Sequence, residues 1–314
     1  MSTDRIAIGT ASADSLTAPS PLDLRAIGVM VVLCLTWSLQ QISLKAAAGS
    51  VSPMWMVGVR SLIAALLLAA LMRHRGERPA RERWLPGLGA GLLFAFEFLL
   101  VSKALALTQA SHVVILLYAA PIFAALGLHW RVPAERLSPV QWLGILIAFG
   151  GIATAFLFNS GGGIGGHAAL LGDALALLAA VCWGATTVTL RCTALSGAPA
   201  GETLLCQLLC AAAILLPVSL LVGEARFDGS PQAWGHLAFQ TLVVSFASFL
   251  AWFWMLKRYL ASQLGVLTFL TPLLGVLLGV WLLGEQLRTS FVIGGLLVVT
   301  GILLVSLPRH FSRS

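Results

Sequence analysis

The stretch ASHVVILLYAAP, residues 110–121, recurs later in the chain as ASQLGVLTFLTP, residues 261–272. Both stretches begin with Ala-Ser, continue as an apolar run and reach a proline after the same number of residues. A proline inside a helix removes one backbone hydrogen bond and crowds the preceding turn. Because this costly feature occurs twice in the same register, the two stretches predict two copies of one helical element.

The composition of the whole chain indicates that most of it lies in lipid. Hydrophobic residues make up 59% of the 314 residues and charged residues only 10%, and the mean hydropathy is +0.94. Soluble domains carry about 25% charged residues. The apolar runs are continuous and approach the roughly 20 residues that a helix needs to cross a bilayer, whereas barrel strands alternate in short segments. We therefore predict an all-α integral membrane protein.

Breaks rich in glycine, proline and charge divide the chain into ten predicted transmembrane helices. Their ranges are 25–46, 54–72, 85–106, 110–130, 138–158, 168–190, 200–222, 232–256, 262–283 and 289–307. Most of the 19 lysines and arginines then fall on one side, together with both termini. Since basic loops stay in the cytoplasm, we predict a multi-pass protein of a bacterial-type inner (plasma) membrane with both termini cytoplasmic. Residues 1–24 are predicted to be a disordered tail and residues 308–314 a short second tail.

The repeat extends over nearly the whole chain after the first tail. Residues 25–158 align with residues 168–307 at a nearly constant shift, at which Trp37 matches Trp183. Each copy contains five predicted helices, and an odd number makes the second copy enter the membrane from the opposite side. Inverted repeats of this kind are typical of secondary transporters, which bind their substrate between the halves. We therefore predict two inverted five-helix repeats around a central cavity and transport by alternating access.

The repeated segments resemble a known family. The two stretches above, together with WLGILIAFGGIATA (residues 142–155) and IGGLLVVTGILL (residues 293–304), are similar to the drug/metabolite transporter (DMT) superfamily and to its EamA-type members. The length and the tryptophan-rich, acid-poor spans look most like YddG-type bacterial amino-acid and metabolite exporters. The resemblance implies export of aromatic or other neutral amino acids, and the alternative is efflux of drugs or paraquat-like organic cations. The first half departs from the family pattern, because it has HWRVPAE where the second half has WLLGE.

Charged and polar residues inside the apolar spans are candidates for the substrate pathway, because such groups are costly in lipid and normally face the bundle interior. Glu97 could bind a substrate ammonium group or a coupling proton. Arg60 could hold a substrate carboxylate, form an ion pair with Glu97 or extend towards the membrane surface. His112 and its repeat mate Gln263 place polar groups at matching positions, although His112 could equally cap its helix.

Aromatic and uncharged polar residues complete the predicted pathway. An aromatic cavity with one anion would suit aromatic substrates or organic cations through stacking and cation–π attraction. Packing and hydrogen bonding between helices are the alternative interpretation of these residues. Pro121 and Pro272 are predicted hinges or kinks beside the cavity, with packing-only kinks as the alternative. The residues assigned to the pathway on these grounds are Trp37, Gln40, Gln41, Tyr118, Trp183, Thr187 and Trp252.

Several classes of function are not indicated. The net charge of +7 is explained by basic loops on one membrane side, so no nucleic-acid partner is expected. The five cysteines lack metal-ligand spacing, and no catalytic constellation, phosphate loop or ring of charges suggests a membrane-embedded enzyme or a channel. We expect a small-molecule substrate and the lipid bilayer as partners, no metal, no catalytic residue and no cofactor. Glycine faces in 138–158 and 289–307 allow a homodimer, with a monomer as the alternative, and proton coupling through Glu97 and uniport are both left open.

Overall fold

Helices form almost the whole of the described chain. The computed structural model describes residues 22–108, 110–157, 166–283 and 289–306. Apart from residues 22–24, the two predicted tails lie outside these ranges. The helices, numbered in chain order, are α1 Leu24–Ala47, α2 Pro53–His74, α3 Trp84–Leu107, α4 Ala110–Leu117, α5 Ala120–Arg131, α6 Pro139–Leu157, α7 Gly166–Cys192, α8 Ala200–Leu221, α9 Pro231–Ala238, α10 Phe249–Arg258, α11 Ala261–Leu267, α12 Leu270–Leu283 and α13 Thr289–Ser306.

Six helical segments in the described ranges are long and apolar enough to cross a membrane. They are Leu24–Leu44, Pro53–His74, Arg81–Leu107, His167–Cys192, Ala200–Leu221 and Pro231–Arg258. Three apolar helices are shorter, namely Pro139–Thr154, Ala261–Gly275 and Val292–Val305. Helix is found at every predicted span, which confirms an all-α membrane architecture. The number of ten crossings and the inverted orientation of the second half stay predictions.

The two proline-containing stretches of the repeat form broken helices. A two-residue turn separates α4 from α5, and another separates α11 from α12. Pro121 and Pro272 each lie in the first turn of the second piece, where backbone N–H groups have no intrahelical partner and a proline costs little. Gly265 of α11 faces the Pro121 ring, so the two broken helices approach each other. The predicted kinks are therefore helix breaks at matching positions in the two halves.

The span after α8 departs from α-helical geometry. α9 continues through a π-helical segment, Phe239–Ser248, directly into α10. A π-turn is closed by i→i+5 hydrogen bonds and is frequent at functional sites. Gln240, Thr241 and Ser245 of this segment are all buried, so the π-helix presents polar side chains to the protein interior.

The helices of the two halves pack in matched pairs. α1 packs on α12 and α7 packs on α5, so the first span of each half contacts the broken span of the other half. α2 packs on α8, and α6 packs on α13. In the last pair, a Cβ added at Gly144 would lie 2.8 Å from the Gly301 carbonyl oxygen, and one at Gly151 would lie 2.6 Å from that of Gly294. These four glycines pack within one chain, whereas Gly150 and Gly295 of the same two helices face open space, and the homodimer stays a prediction.

The Glu135 carboxylate joins the first half to the second. It is fully buried in the 3-10 turn that follows α5. It accepts hydrogen bonds from Arg191 Nη2 at 2.7 Å, from the Ala261 N–H at 2.9 Å and from the Ser262 hydroxyl and N–H at 2.7 and 3.1 Å. A carboxylate at a helix N-terminus satisfies free N–H groups and complements the helix dipole. We call this arrangement the Glu135 clasp.

Candidate functional site

A cavity lies between helices of both halves. Its wall is formed by α1, α3, the α4–α5 break, α7, α8 and α10. Its lining is mostly apolar with a few polar groups, which is the composition of small-molecule sites. Its lining residues are Trp37, Gln40, Gln41, Phe94, Glu97, Phe98, Leu117, Tyr118, Trp183, Thr186, Thr187, Leu190, Gln207, Phe249, Trp252 and Phe253.

Aromatic rings from the two halves meet in the cavity wall. Trp37 and Trp252 lie edge to face with ring centroids 5.5 Å apart. The repeat mate of Trp37, Trp183, meets Tyr118 in the same way at 5.8 Å. Edge-to-face pairs are favoured by the ring quadrupoles and hold both rings in fixed orientations. Each of the two matched tryptophans therefore contacts an aromatic ring of the opposite half.

Glu97 supplies a carboxylate to this aromatic wall. It lies on α3 and is 8% exposed. Among the described residues its carboxylate has neither a hydrogen bond nor an ion pair, so its acceptor capacity is free for a ligand. A substrate ammonium group beside Glu97 would gain charge-assisted hydrogen bonds, and neighbouring ring faces attract the same cation.

Three glutamines add uncharged polar groups to the wall. Gln40 and Gln41 follow Trp37 on α1, as the sequence predicts. The prediction missed Gln207 of α8, which is fully buried and whose amide oxygen and nitrogen both lack a partner among the described residues. A lone amide in the apolar run 203–217 is the signal that could have found it, since unpaired polar groups in lipid are costly.

Two threonines in the wall retain free acceptor positions. The Thr186 hydroxyl donates to the Cys182 carbonyl at 2.9 Å, and the Thr187 hydroxyl donates to the Trp183 carbonyl at 3.3 Å. Each hydroxyl thus uses its proton within α7. The remaining lone pairs can accept hydrogen bonds from a ligand.

Arg60 lies behind the cavity wall. It is 1% exposed, and its guanidinium donates to the side-chain oxygen of Gln240. The Gln240 amide in turn donates to the Gln40 carbonyl at 3.0 Å. The guanidinium carbon lies 5.5 Å from the centroid of the Phe98 ring. Among the described residues Arg60 forms no ion pair with Glu97. Its side chain is buried and does not extend towards the surface of the protein.

The remaining predicted residues lie outside the wall or outside the described side chains. The backbone of His112 belongs to α4, and its side chain lies outside the described part. Gln263 is buried and donates to the Val305 carbonyl at 3.5 Å, away from the cavity wall. Pro121 lines a smaller cavity of about 250 Å³ whose wall shares Trp183 with the larger one. Pro272 is buried and lines neither cavity.

Both halves of the chain match one family model. Residues 24–157 and residues 170–307 each match the model described as the EamA-like transporter family. The chain is 26% identical to the uncharacterized inner membrane transporter YedA of Escherichia coli K12, over 90% of this chain and 91% of YedA. It is 27% identical to the uncharacterized transporter YvbV of Bacillus subtilis 168, over 88% of this chain and 90% of YvbV.

A solved crystal structure has a similar fold. It covers 88% of this chain and 94% of its own length with a TM-score of 0.74, at 23% sequence identity. At this identity the likeness concerns the fold alone.

Proposed function

Because the chain belongs to the EamA-like transporter family of the drug/metabolite transporter superfamily, we propose that it exports aromatic and other neutral amino acids by alternating access. It is a multi-pass membrane transporter, like the relatives that its sequence matches. The observation that carries the substrate class is the aromatic cavity between the halves, with the Glu97 carboxylate in its wall. The resemblance to YddG-type exporters favours the same class.

The proposed binding mode follows from the chemistry of the wall. The substrate's ammonium group lies against Glu97, where a charge-assisted hydrogen bond is about twice as strong as a neutral one. The aromatic side chain of the substrate stacks among the rings of Trp37, Trp183 and Trp252. Such stacking favours flat rings over branched aliphatic side chains.

Alternating access requires the contacts between the halves to change during transport. The cavity wall contains residues of both halves, so a rotation of one half against the other would reshape it. The Glu135 clasp closes one set of contacts between the halves. In the proposed cycle the clasp is intact in one facing state and broken in the other.

Efflux of organic cations is a second candidate, and one feature of the wall favours it. The described lining contains the Glu97 carboxylate and no lysine or arginine. A flat organic cation would satisfy this wall without needing a partner for a carboxylate. In this version Glu97 exchanges the substrate for a proton, which couples efflux to the proton gradient.

Reconstituted transport tests the proposal. The purified chain in proteoliposomes is expected to give saturable uptake of labelled L-tryptophan and L-phenylalanine. Glu97→Gln removes the charge that binds the ammonium group, so the apparent affinity should fall by about tenfold or more, given roughly 1.5–3 kcal/mol for a hydrogen bond to a charged group. Glu82→Gln, at an exposed position before α3, is the matched control and should leave uptake unchanged.

The same liposomes separate the two candidates. Uptake of paraquat in place of either amino acid would favour the organic-cation function. A dependence of flux on an imposed pH gradient that disappears in Glu97→Gln would support proton coupling. An absence of saturable flux for both amino acids would contradict the proposed substrate class.

A further inference from the structure

Arg60 is a buried cation whose charge is not balanced by the described residues. Its guanidinium contacts a neutral amide, Gln240, and the face of the Phe98 ring. Its Nε–H has no hydrogen-bond partner, and no carboxylate lies within ion-pair distance among the described residues. An arginine side chain stays protonated in proteins, and an unpaired buried charge is strongly unfavourable. The site around Arg60 therefore favours the arrival of an anion.

Two sets of contacts connect Arg60 to the cavity wall. Phe98 has one face towards the guanidinium and belongs to the cavity wall. Gln240 connects Arg60 to the backbone of Gln40, which lines the same cavity. The Phe98 ring thus contacts the cation and also belongs to the cavity wall. Phe98 is only half-buried, and a change of its side-chain rotamer is a fast, local motion.

We infer that Arg60 is a specificity residue that receives the carboxylate of a zwitterionic amino acid when the Phe98 ring turns aside. The inference rests on the proposed function and decides between its two candidates. Glu97 lies one residue before Phe98 on α3, so the carboxylate and the ring that contacts Arg60 belong to the same part of the cavity wall. A zwitterion satisfies both charges, whereas an amine or an organic cation satisfies Glu97 alone. The fork geometry of a guanidinium suits bidentate binding of a carboxylate.

Matched ligands on the unaltered chain provide the first test. L-Phenylalanine, L-phenylalaninamide and phenethylamine share the ring and the ammonium group, and only the first has a carboxylate. Equilibrium binding to the purified chain should be at least tenfold tighter for L-phenylalanine than for the other two. Equal affinities for all three ligands would overturn the inference without any substitution.

The second test changes the cation. Arg60→Gln should weaken binding of L-phenylalanine at least tenfold and change that of phenethylamine less than twofold. Arg60→Lys keeps a charge without the fork, so its preference for L-phenylalanine should be intermediate. Gln240→Leu removes the neutral partner but keeps the cation, and should keep the preference. Equal weakening of both ligands by Arg60→Gln would assign Arg60 a structural role and overturn the inference.

The outcomes for the inference and for the proposed function can be told apart. If the unaltered chain binds and transports phenethylamine but not L-phenylalanine, the inference fails and a transporter of organic cations stands. If it transports neither ligand, the proposed substrate class fails as well. If L-phenylalanine binds tightly and Arg60→Gln changes nothing, the substrate class stands and only the role of Arg60 is wrong.

Discussion

Replacing Glu135 by glutamine should destabilise the chain more than the same change at Glu82, Glu97 or Glu202. Glutamine keeps one acceptor oxygen and places an amide NH₂ where the second carboxylate oxygen accepts hydrogen bonds. The clasp has four donors, namely Arg191 Nη2, the Ala261 N–H, the Ser262 N–H and the Ser262 hydroxyl. Two of these four donors then lose their acceptor. Removal of one partner from a buried charge pair costs about 3–5 kcal/mol. Because the Ser262 hydroxyl can turn to accept from the new amide, we expect a loss near about 3 kcal/mol.

Thermal unfolding in detergent measures this effect. With an unfolding entropy of about 2.1 cal/mol/K per residue over 314 residues, the melting temperature of Glu135→Gln should fall by roughly 5 °C. Glu202 is the comparison, because it accepts from Arg83 Nη1 at 2.9 Å and from the Ala80 N–H at 3.0 Å. Arg83 is 22% exposed, so water can replace part of what Glu202→Gln removes, and about 1 kcal/mol should be lost. A smaller loss for Glu135→Gln than for Glu202→Gln would refute the assignment of the clasp as the stronger contact.

Three further changes test other parts of the structure. Gly151→Leu should lower the melting temperature, because its Cβ would lie 2.6 Å from a backbone oxygen of α13 and overpacking costs about 1–3 kcal/mol. Gly150→Leu is the control and should leave the melting temperature unchanged, because Gly150 faces open space. Gln207→Leu should raise the melting temperature, because two unpaired polar atoms are removed, and should weaken substrate binding. The Ala26 N–H lowers the pKa of Asp23 below its ordinary value of 3.8, so Asp23 stabilises α1 above that pH. The difference in melting temperature between the unaltered chain and Asp23→Ala should therefore be present at pH 7 and shrink as the pH falls below 3.8. A difference that does not shrink in acid would argue against a stabilising hydrogen bond from the Ala26 N–H to Asp23.

The repeat could be predicted from the sequence because the two halves still have identical residues at matching positions. Trp37 and Trp183 keep the same place in the first span of each half, and both line the cavity. The prolines at 121 and 272 mark the broken helices, although sequence alone could not distinguish a bend from a break. That distinction depends on where the second piece begins, which is set by tertiary contacts such as that of Gly265 with Pro121.

The contacts that define the candidate site could be predicted only in part. Polar residues in apolar spans pointed to Glu97, whose side chain lies in the cavity wall. The partner of Arg60 could not be predicted, because Gln240 lies 180 positions away and is turned inwards by a π-helix. Hydrophobic patterning does not distinguish i→i+5 from i→i+4 hydrogen bonds over ten residues. The roles of these residues in transport stay predictions until flux is measured.

The π-helical segment makes the two halves unequal in backbone geometry at the same structural position. The span that contains it, Pro231–Arg258, has 28 residues and its counterpart, Arg81–Leu107, has 27, but only the former includes a π-helix. If the halves exchange roles during transport, identical halves would give the two facing states equal energy. A backbone irregularity in one half removes that degeneracy, so we expect the resting preference for one facing state to be encoded in the π-turns. Deleting one residue from 239–248 should shift that preference, and the accessibility of single cysteines at the two membrane faces would report it.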